Sequence, residues 1–477
     1  MQLSKKNITY PVKIFPEKVL QFGTGILLRG LPDYFIHEAN QKNIFNGSIV
    51  IVKSTDGDVN DFTDQDNLFT TFIKGIEKGE YIERTIINSS ISRVLSAQNS
   101  WNEIINISES DDLQVIISNT TEIGLQYINE DIFASPPLSF PAKLTSLLFN
   151  RFNKKGNSAN EIVIIPTELI TNNGLILKET VHQHINFNHL PNEFILWLDK
   201  NVIFCNSLVD RIVTAANIND FNNVEYEDKL AIKTEPYNLW AIEGDEKVKN
   251  ILIFSQTNKG LIINENIDYY RERKLRILNG THTISVCLGF WMDFNTVYEC
   301  MQNELVGDFI ESVMFEEIVP TLNLGTQDEN ILFAKEVLDR FNNPDLKHLL
   351  LNITMQQTAK MKMRNLPTII RYYEKFNKVP IRLVMGFMAY LLFMKATHIR
   401  GDKYYGMRRG NEYLIYDDQA EYFYNIWKDI DIKDETAIKR LVLSICRNSQ
   451  IWEMDLSHLP DFVETVSRQL IYLTQKL

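Results

Sequence analysis

VLQFGTG, residues 19–25, is the stretch of sequence that decides the fold of the N-terminal half. Its apolar run has the length of a strand and ends on a glycine, and helical apolar spacing begins nearby at Leu31. Further β-branched runs of strand length occupy residues 49–52, 115–117 and 162–165. Continuous runs of this kind are typical of parallel strands that are buried on both faces. Their alternation with helical segments predicts an α/β domain with helices on both sides of a sheet.

The sequence after residue 265 has a different pattern. Its apolar residues follow helical spacing, and no β-branched run of four residues occurs. Seven segments are predicted to be helices: 274–295, 305–320, 328–340, 366–377, 380–398, 418–428 and 434–449. The change of pattern predicts two domains, an α/β domain over residues 1–265 and a mostly α-helical domain over residues 266–477.

The composition excludes several classes of function. The chain has 477 residues and a formal net charge of −12, from 49 Lys and Arg against 61 Asp and Glu. This balance disfavours non-specific binding to nucleic acid or to anionic membranes, because both need a basic face. No secretory signal follows the N-terminus, and the four widely separated cysteines indicate a reducing compartment, so we predict a cytoplasmic protein.

The glycines at residues 23 and 25 predict a nucleotide site. In a dinucleotide-binding fold the first glycine makes a tight turn, and the second lets the backbone approach the pyrophosphate. The third glycine of the usual pattern is missing, because Leu28 stands there and is followed by Arg29 and Gly30. The alternative interpretation of this incomplete motif is a plain turn between a strand and a helix.

The residues after the second predicted strand bear on the choice of cofactor. An acidic residue there would bind the ribose hydroxyls of NAD(H), and Asp56 and Asp58 are close enough in sequence to do so. Lys53 and Ser54 could instead accept the 2′-phosphate of NADP(H). We favour NAD(H), and the sequence leaves NADP(H) open.

Lys274, Asn279 and His282 are the strongest candidates for chemistry. At about 100° per residue they fall near 0°, 140° and 80° around an α-helix, so one side presents an amine, an amide and an imidazole. Burial of that helix would lower the pKa of the lysine towards the range useful for proton transfer. The competing interpretation makes Lys274 a solvated cation and His282 a core histidine. Gly280 inside the helix indicates a close approach by a ligand or another backbone.

A second cationic stretch precedes the helix predicted at residue 366. Lys360, Lys362 and Arg364 alternate with methionines. The alternation predicts a half-buried segment with one cationic face, and the competing interpretation is a solvated basic run.

Five stretches together carry a resemblance to a known family. They are LQFGTG at 20–25 with the following Arg29 and Gly30, QDNLFT at 65–70, SNTTEIG at 118–124, NSLVDRI at 206–212, and the K-x-x-x-x-N-x-x-H spacing over 274–282. They resemble the mannitol dehydrogenase family of long-chain polyol and sugar-acid dehydrogenases. The resemblance implies a Rossmann-type N-terminal domain and a mostly α-helical C-terminal domain.

The resemblance also implies roles for particular residues. Lys274 would be the general acid and base, Asn279 and Asn173 would polarise the substrate carbonyl, and His282 would orient a substrate hydroxyl. The implied cofactor-binding residues are Gly23, Thr24, Gly25, Arg29, Ser54, Asn119 and Thr120. The implied substrate-binding residues are Lys360, Lys362, Arg364, Val209 and Asp210. No metal is implied.

Within the family the cationic stretch at 360–364 resembles that of the uronate reductases. This implies interconversion of tagaturonate and altronate with a nicotinamide cofactor during hexuronate breakdown, with a small anionic sugar acid as the partner. The alternatives are a fructuronate reductase, a mannitol 2-dehydrogenase, and a non-catalytic nucleotide sensor with the same fold. The sequence predicts no particular oligomeric state.

Overall fold

The computed structural model describes residues 1–8, 12–55, 57–121 and 123–475. The chain divides into two compact units. The N-terminal unit comprises Met1–Lys74 and Tyr81–Asp268, and the helical unit comprises Gly75–Glu80 and Tyr269–Leu477. The hairpin turn at residues 75–80 thus belongs with the C-terminal half, which no local pattern indicated. The domain boundary after residue 265 stays a prediction.

Within the described ranges, thirteen strands have most of their residues in the N-terminal unit, and they form three sheets. The strands are β1 Glu17–Phe22, β2 Ser48–Lys53, β3 Phe69–Glu77, β4 Glu80–Asn88, β5 Ile91–Ser96, β6 Val115–Ser118, β7 Ile162–Pro166, β8 Val202–Phe204, β9 Ser207–Asp210, β10 Val213–Ala215, β11 Ile232–Thr234, β12 Leu239–Glu243 and β13 Leu261–Asn264.

The largest sheet has six parallel strands in the order β5-β2-β1-β6-β7-β8. The strand order reverses between β1 and β6, which makes their carboxyl ends the topological switch point where such sheets bind ligands. The four predicted apolar runs form β1, β2, β6 and β7, and their apolar side chains fill a core on each face of the sheet. The Rossmann-type fold is therefore confirmed.

Several strands of this unit were not predicted. In β5 the polar Ser92 and Arg93 interrupt the apolar run, and β8 has three residues. Two smaller sheets, β10-β11-β3-β4 and β13-β12-β9, combine strands that are distant in sequence. Their strands lack the continuous β-branched pattern, because they are not buried on both faces of one parallel sheet.

In the part of this unit that the structure describes, eight α-helices connect the strands. They are α1 Ile26–Gly30, α2 Pro32–Gln41, α3 Asn60–Thr63, α4 Ala97–Ile107, α5 Phe140–Lys155, α6 Asn173–Phe187, α7 Asn192–Asn201 and α8 Glu246–Ile251. Short 3₁₀ helices occupy Gly156–Ser158, Ile218–Phe221 and Ile253–Thr257.

The helical unit is mostly α-helical, as predicted. Its α-helices are α9 Asp268–Arg273, α10 Thr281–Trp291, α11 Val297–Met301, α12 Glu304–Ser312, α13 Gln327–Phe341, α14 Leu350–Ile353, α15 Gln357–Lys360, α16 Leu366–Phe376, α17 Ile381–Phe393, α18 Ala420–Trp427, α19 Glu435–Arg447, α20 Ser449–Trp452 and α21 Phe462–Thr474. Three π-helical turns occupy Lys274–Gly280, Val313–Ile318 and Met361–Asn365, and 3₁₀ helices occupy Val319–Thr321 and Leu456–His458.

One small sheet of the helical unit was not predicted. The helix expected over 380–398 ends at Phe393, and an antiparallel sheet follows with strands β14 His398–Arg400, β15 Lys403–Arg408 and β16 Asn411–Ile415. Turns at Gly401 and Gly410, with φ of 60° and 81°, connect its strands. Many of its side chains are exposed, so the apolar pattern that predicted the buried strands is absent here.

Within the described residues, no helix is both long and apolar enough to cross a membrane. The four cysteines are buried and free.

Candidate active site

The turn after β1 has the geometry that the two glycines predict. Gly23 has a φ of 129°, which side chains rarely adopt, and its N–H donates to the carbonyl of Val52 over 3.1 Å. Gly25 precedes α1, and a Cβ built on it would meet nothing within 4 Å. Thr24 between them is half-buried. The open space beside Gly25 lies at the switch point of the sheet, where a pyrophosphate would approach the backbone.

Gly30 performs the packing function of the missing third glycine. A Cβ built on it would lie 2.7 Å from a methyl carbon of Val213, so α1 approaches β10 closely only because this residue has no side chain. Leu28, which stands in the usual glycine position, is buried against Gly23 instead. The motif is thus shifted by two residues rather than incomplete.

Arg29 lies in the interior of the N-terminal unit and not at the nucleotide turn. Its side chain is buried, donates to the carbonyl of Leu230, and lies 5.7 Å from the ring centre of Phe69. Burial lowers the pKa of this guanidinium, and the nearby Asp33 and Asp228 oppose that effect. The implied role of Arg29 in cofactor binding is therefore wrong, because its guanidinium is buried in the interior of this unit and binds the main chain there.

Two polar residues after β6 lie beside the same switch point. The amide of Asn119 donates to the hydroxyl of Thr167 over 3.0 Å. The N–H and hydroxyl of Thr120 donate to one carboxylate oxygen of Glu168, over 2.8 and 3.0 Å. Burial raises the pKa of Glu168. The loops after β6 and β7 are therefore tied together, with Asn119 half-buried and Thr120 partly exposed at the carboxyl edge of the sheet.

The end of β2 bears on the ribose site. Ser54 is exposed, and the Lys53 amine donates to the carbonyl of Asp58 over 2.8 Å. Lys53 is therefore engaged by its own loop. Asp56, the candidate for the ribose hydroxyls, lies outside the described residues, and so does Glu122 of the 118–124 stretch.

The amide of Asn173 is used entirely by the main chain around it. Its nitrogen donates to the carbonyls of Pro166, Glu168 and Ser207 over 3.0 to 3.1 Å. Its oxygen accepts the N–H groups of Gly174 and Ser207. The side chain has no exposed surface. In this arrangement Asn173 joins the end of β7 and the beginning of β9 to the start of α6. It has no remaining donor with which to polarise a substrate carbonyl.

Val209 and Asp210 are also buried. They lie on β9 and pair with Trp240 and Leu239 on β12. The following Arg211 lies 4.5 Å from the ring centre of Tyr34, and burial lowers its pKa to about 10. The signature over 206–212 therefore builds the interior of the N-terminal unit, and Val209 has little surface for a substrate.

Lys274 and Asn279 lie on a π-helical turn, Lys274–Gly280, that continues into α10. A π-helix bonds residues five apart, so residues with that spacing lie one above the other. An α-helix would separate them by about 140°. The π-turn therefore brings the amine and the amide onto one face, and both side chains are half-buried. Gly280 needs no special explanation, because a Cβ there would find ordinary contacts at 3.6 Å.

His282 follows one turn later and is 8% exposed. Its ring stacks on Phe341 at 4.2 Å between centres and meets His348 edge-on at 5.0 Å. Burial holds the pKa of His282 well below its ordinary value, and the neighbouring His348 and Arg340 lower it further. The imidazole is therefore neutral, and its Nε2 has no hydrogen-bond partner among the described residues.

Lys360 and Arg364 lie close enough to His282 to act on it electrostatically. Both lower the pKa of His282 through their charge. Burial lowers the pKa of both side chains. The Lys360 amine donates to the carbonyl of Ile353 over 2.9 Å, and Arg364 donates to the hydroxyl of Thr283 over 3.1 Å. The Nε of Arg364 is buried without a partner in the described chain.

Lys362 does not share this surface. The segment is helical, with α15 followed by the π-turn Met361–Asn365, so alternate residues do not point the same way. The amine of Lys362 pairs with the exposed carboxylate of Glu453 at 2.9 Å. The predicted single cationic face of alternating residues is therefore wrong, because the segment is a helix and only Lys360 and Arg364 lie near His282.

Arg340 and His348 were missed by the sequence analysis. Both act electrostatically on His282, and Phe341 supplies the flat surface under its ring. They come from the end of α13 and from the loop before α14, far from His282 in sequence. No local spacing connects them to the K-x-x-x-x-N-x-x-H motif, so no signal in the sequence could have found them.

The helical unit thus presents an amine, an amide and a neutral imidazole on consecutive turns, with two further cations beside the imidazole. Such a set can transfer a proton, bind hydroxyls and bind a carboxylate. No group of described residues has the composition of a metal site.

Family models place the chain within a known family. The mannitol dehydrogenase Rossmann domain matches residues 17–254, and the mannitol dehydrogenase C-terminal domain matches residues 266–474. The chain therefore belongs to the mannitol dehydrogenase family.

Relatives of similar length are named altronate oxidoreductase. One from Halalkalibacterium halodurans is 35% identical over 99% of this chain and 94% of its own length. One from Bacillus subtilis is 33% identical over 99% of this chain and 96% of its own length. One from Bacteroides thetaiotaomicron is 32% identical, covering 97% and 95%.

Two solved structures share the fold along the whole chain. Pseudomonas fluorescens mannitol 2-dehydrogenase, in a ternary complex with NAD and D-mannitol, has a TM-score of 0.66 and 20% identity, and covers 100% of this chain and 99% of its own. D-sorbitol dehydrogenase in substrate-free form has a TM-score of 0.78 and 15% identity, covering 100% and 98%.

Proposed function

We propose that the protein interconverts altronate and tagaturonate with a nicotinamide cofactor during hexuronate breakdown in the cytoplasm. The observation that carries the proposal is the set of Lys360 and Arg364 near the neutral imidazole of His282, whose Nε2 has no hydrogen-bond partner among the described residues. A sugar acid has a carboxylate for the cations and hydroxyls for the imidazole. The names of the full-length relatives support this substrate.

Lys274 is the general acid and base of the proposed reaction. When bound, a nicotinamide would give a hydride to the carbonyl carbon in reduction. In oxidation it would accept a hydride from the carbon that bears the hydroxyl group. In reduction the Lys274 ammonium gives its proton to the carbonyl oxygen, and in oxidation the free amine removes the hydroxyl proton. Asn279 lies on the same face of the π-turn and donates its amide N–H to that oxygen as negative charge develops.

His282 orients the substrate through its neutral ring. Its Nε2 is buried and unpartnered within the described residues, so a substrate hydroxyl can donate to it or accept from it according to the tautomer. Phe341 fixes the plane of the ring by stacking at 4.2 Å. Arg364 and Lys360 bind the carboxylate, and the unused Nε of Arg364 is one donor for that contact.

Residues of the N-terminal unit fit a dinucleotide. Gly25 leaves the open space that a pyrophosphate needs, and Asn119 and Thr120 lie at the same edge of the sheet. Because Lys53 is engaged with Asp58, its amine is withdrawn from the position of a 2′-phosphate. This supports NAD(H) over NADP(H).

A panel assay tests the proposal. The oxidation of NADH and of NADPH is followed by the loss of absorbance of the reduced nicotinamide, with tagaturonate, fructuronate and fructose as substrates. We expect the largest kcat/KM with NADH and tagaturonate. Turnover of fructuronate or fructose in preference to tagaturonate would refute the substrate, and no turnover with any carbonyl would favour a nucleotide sensor.

A further inference from the structure

The turn that carries Lys274 and Asn279 packs directly against the turn that carries Arg364. The first is the π-turn Lys274–Gly280 and the second is the π-turn Met361–Asn365. Irregular turns of this kind leave carbonyl groups without the usual helical partners, and a side chain or water has to satisfy them. The contacts between the two turns are reciprocal, because a side chain of each turn donates to the backbone of the other.

Arg276 supplies one half of this reciprocal contact. The guanidinium Nη1 of Arg276 donates to the carbonyl of Met363 over 2.7 Å and to the carbonyl of Arg364 over 2.8 Å. Asn365 supplies the other half, because its amide nitrogen donates to the carbonyl of Gly280 over 2.9 Å. Each turn thus contributes one side chain that binds the backbone of the other.

Arg276 is itself held in a fixed orientation. Its Nε and Nη2 donate to the two carboxylate oxygens of Glu272, over 2.8 and 3.3 Å. Arg371 binds the same carboxylate at 2.9 Å. The side chain of Arg276 is 7% exposed. All of its guanidinium nitrogens are occupied by the protein, so Arg276 cannot bind a substrate.

We propose that Arg276 is a positioning residue that fixes Arg364 relative to Lys274 and Asn279. The proposal that this determines the affinity for the substrate acid rests on the proposed function. Arg276 bonds to the carbonyl of Arg364 itself, so it sets where that side chain begins. The guanidinium of Arg364 then reaches Thr283 on α10, which also carries His282. A shift of one turn against the other would separate the carboxylate contact from the proton donor.

Three variants test the proposal in the full-length protein. Arg276→Met removes all four hydrogen bonds of the guanidinium, Arg276→Lys retains the positive charge, and Asn365→Ala removes the reciprocal bond should Arg276→Met fail to fold. Arg371→Met is the matched control, because it removes a half-exposed arginine from the same Glu272 but touches neither carbonyl. For each protein, kcat, the KM for tagaturonate, the KM for NADH and backbone hydrogen exchange are measured.

We expect Arg276→Met to raise the KM for tagaturonate about tenfold to a hundredfold and to lower kcat, while the KM for NADH stays within about twofold. Arg276→Lys should recover part of the loss, and Arg371→Met should behave as the wild type. Exchange should accelerate in both π-turns for Arg276→Met and for Asn365→Ala.

Two results would overturn the proposal. One is a wild-type KM for tagaturonate in folded Arg276→Met, and the other is acceleration confined to the turn that carries the substitution. If the wild-type protein does not turn over tagaturonate, the proposed substrate is wrong. Hydrogen exchange then decides alone whether Arg276 couples the two turns.

Discussion

His37 in the N-terminal unit and His282 in the helical unit are both buried, and these two histidines differ in their hydrogen bonding. The Nδ1 of His37 accepts the N–H of Ser89 over 3.2 Å. The Nε2 of His282 has no partner in the described residues. Burial lowers the pKa of both rings, to about 4 for His37 and well below the ordinary value for His282. A buried polar atom without a partner costs free energy, and a bound ligand is one group that can supply the partner.

A similar contrast separates Asn173 of the N-terminal unit from Arg364 of the helical unit. The main chain around Asn173 uses both the nitrogen and the oxygen of its side-chain amide. Arg364 retains an unused donor beside His282. The N-terminal unit therefore offers a ligand mainly its backbone and open space, whereas the helical unit offers side chains. Substitutions in the two units should accordingly have different kinds of effect.

The largest effect should come from Lys274→Ala. Loss of the proton donor should reduce kcat about a thousandfold, within the range that general acid–base catalysis contributes. The affinity for NADH, measured by fluorescence titration, should change by less than about twofold. Lys335→Ala, which removes an exposed lysine of α13, is the control. Near wild-type turnover by Lys274→Ala would show that the helical unit does not act through this side chain.

Asn173→Ala should lower stability and not the chemical step. It leaves three carbonyls and two N–H groups of the backbone without their partner. We expect a loss of about 3 kcal/mol in the free energy of unfolding, measured by urea denaturation. Asn186→Ala, on the exposed side of the same α6, should have little effect. An unchanged stability with a large loss of kcat would restore the carbonyl-polarising role that the family resemblance implies.

The fold could be predicted where burial leaves a continuous pattern. Strands β1, β2, β6 and β7 each contain a run of buried, mostly apolar residues because the sheet is covered on both faces. The exposed strands of the helical unit lack that pattern. The interior position of Arg29 could not be predicted, because its acceptor, the carbonyl of Leu230, is 201 residues away.

The candidate site was predicted in its residue types and only partly in its geometry. The spacing of Lys274 and Asn279 is five residues, and sequence does not distinguish an α-helix from a π-turn. The π-turn brings the two side chains closer together around the helix axis than the separation of about 140° in an α-helix. The same limitation affected Lys362, because its alternation with methionines has the period of a strand while the chain is helical there.

His37 should make the protein sensitive to acid. Its pKa is about 4 in the folded state against an ordinary value of 6.5. The neutral ring therefore contributes stability that is fully present above pH 6.5 and is lost as the pH falls through about 4. At pH 5 the loss should be about 2 kcal/mol. His37→Asn cannot take up the proton, so its melting temperature should fall less than that of the wild type between pH 7 and 5.

His189→Asn is the control for this titration. His189 is exposed and has a φ of 51°, a conformation that asparagine tolerates. Its variant should follow the wild-type melting curve at each pH. If His37→Asn loses stability in acid as steeply as the wild type, the Ser89 N–H does not hold a neutral ring, and the contrast with His282 fails.

Arg364→Met should distinguish the two cations of the 360–364 segment that differ most in their surroundings. Loss of a charged donor to the substrate carboxylate should lower kcat/KM for tagaturonate about tenfold to a hundredfold. Lys362→Met is the matched control, because it removes a cation that pairs with the exposed Glu453. It should stay within about twofold of the wild type, since exposed ion pairs contribute little. Equal losses in both variants would mean that the whole segment binds the acid.

Gly25→Ala should have the smallest effect and should reveal whether the N-terminal unit binds through its backbone. Gly25 has φ −64° and ψ 155°, which any residue adopts, and a Cβ there meets nothing in the protein. The melting temperature should therefore not change. A methyl group would occupy the space that a pyrophosphate needs, so the Kd for NADH should rise about tenfold. Gly23→Ala should instead destabilise the fold, because the φ of 129° strains a side chain. An unchanged Kd in Gly25→Ala would place the pyrophosphate elsewhere, and binding in this unit would then depend on side chains after all.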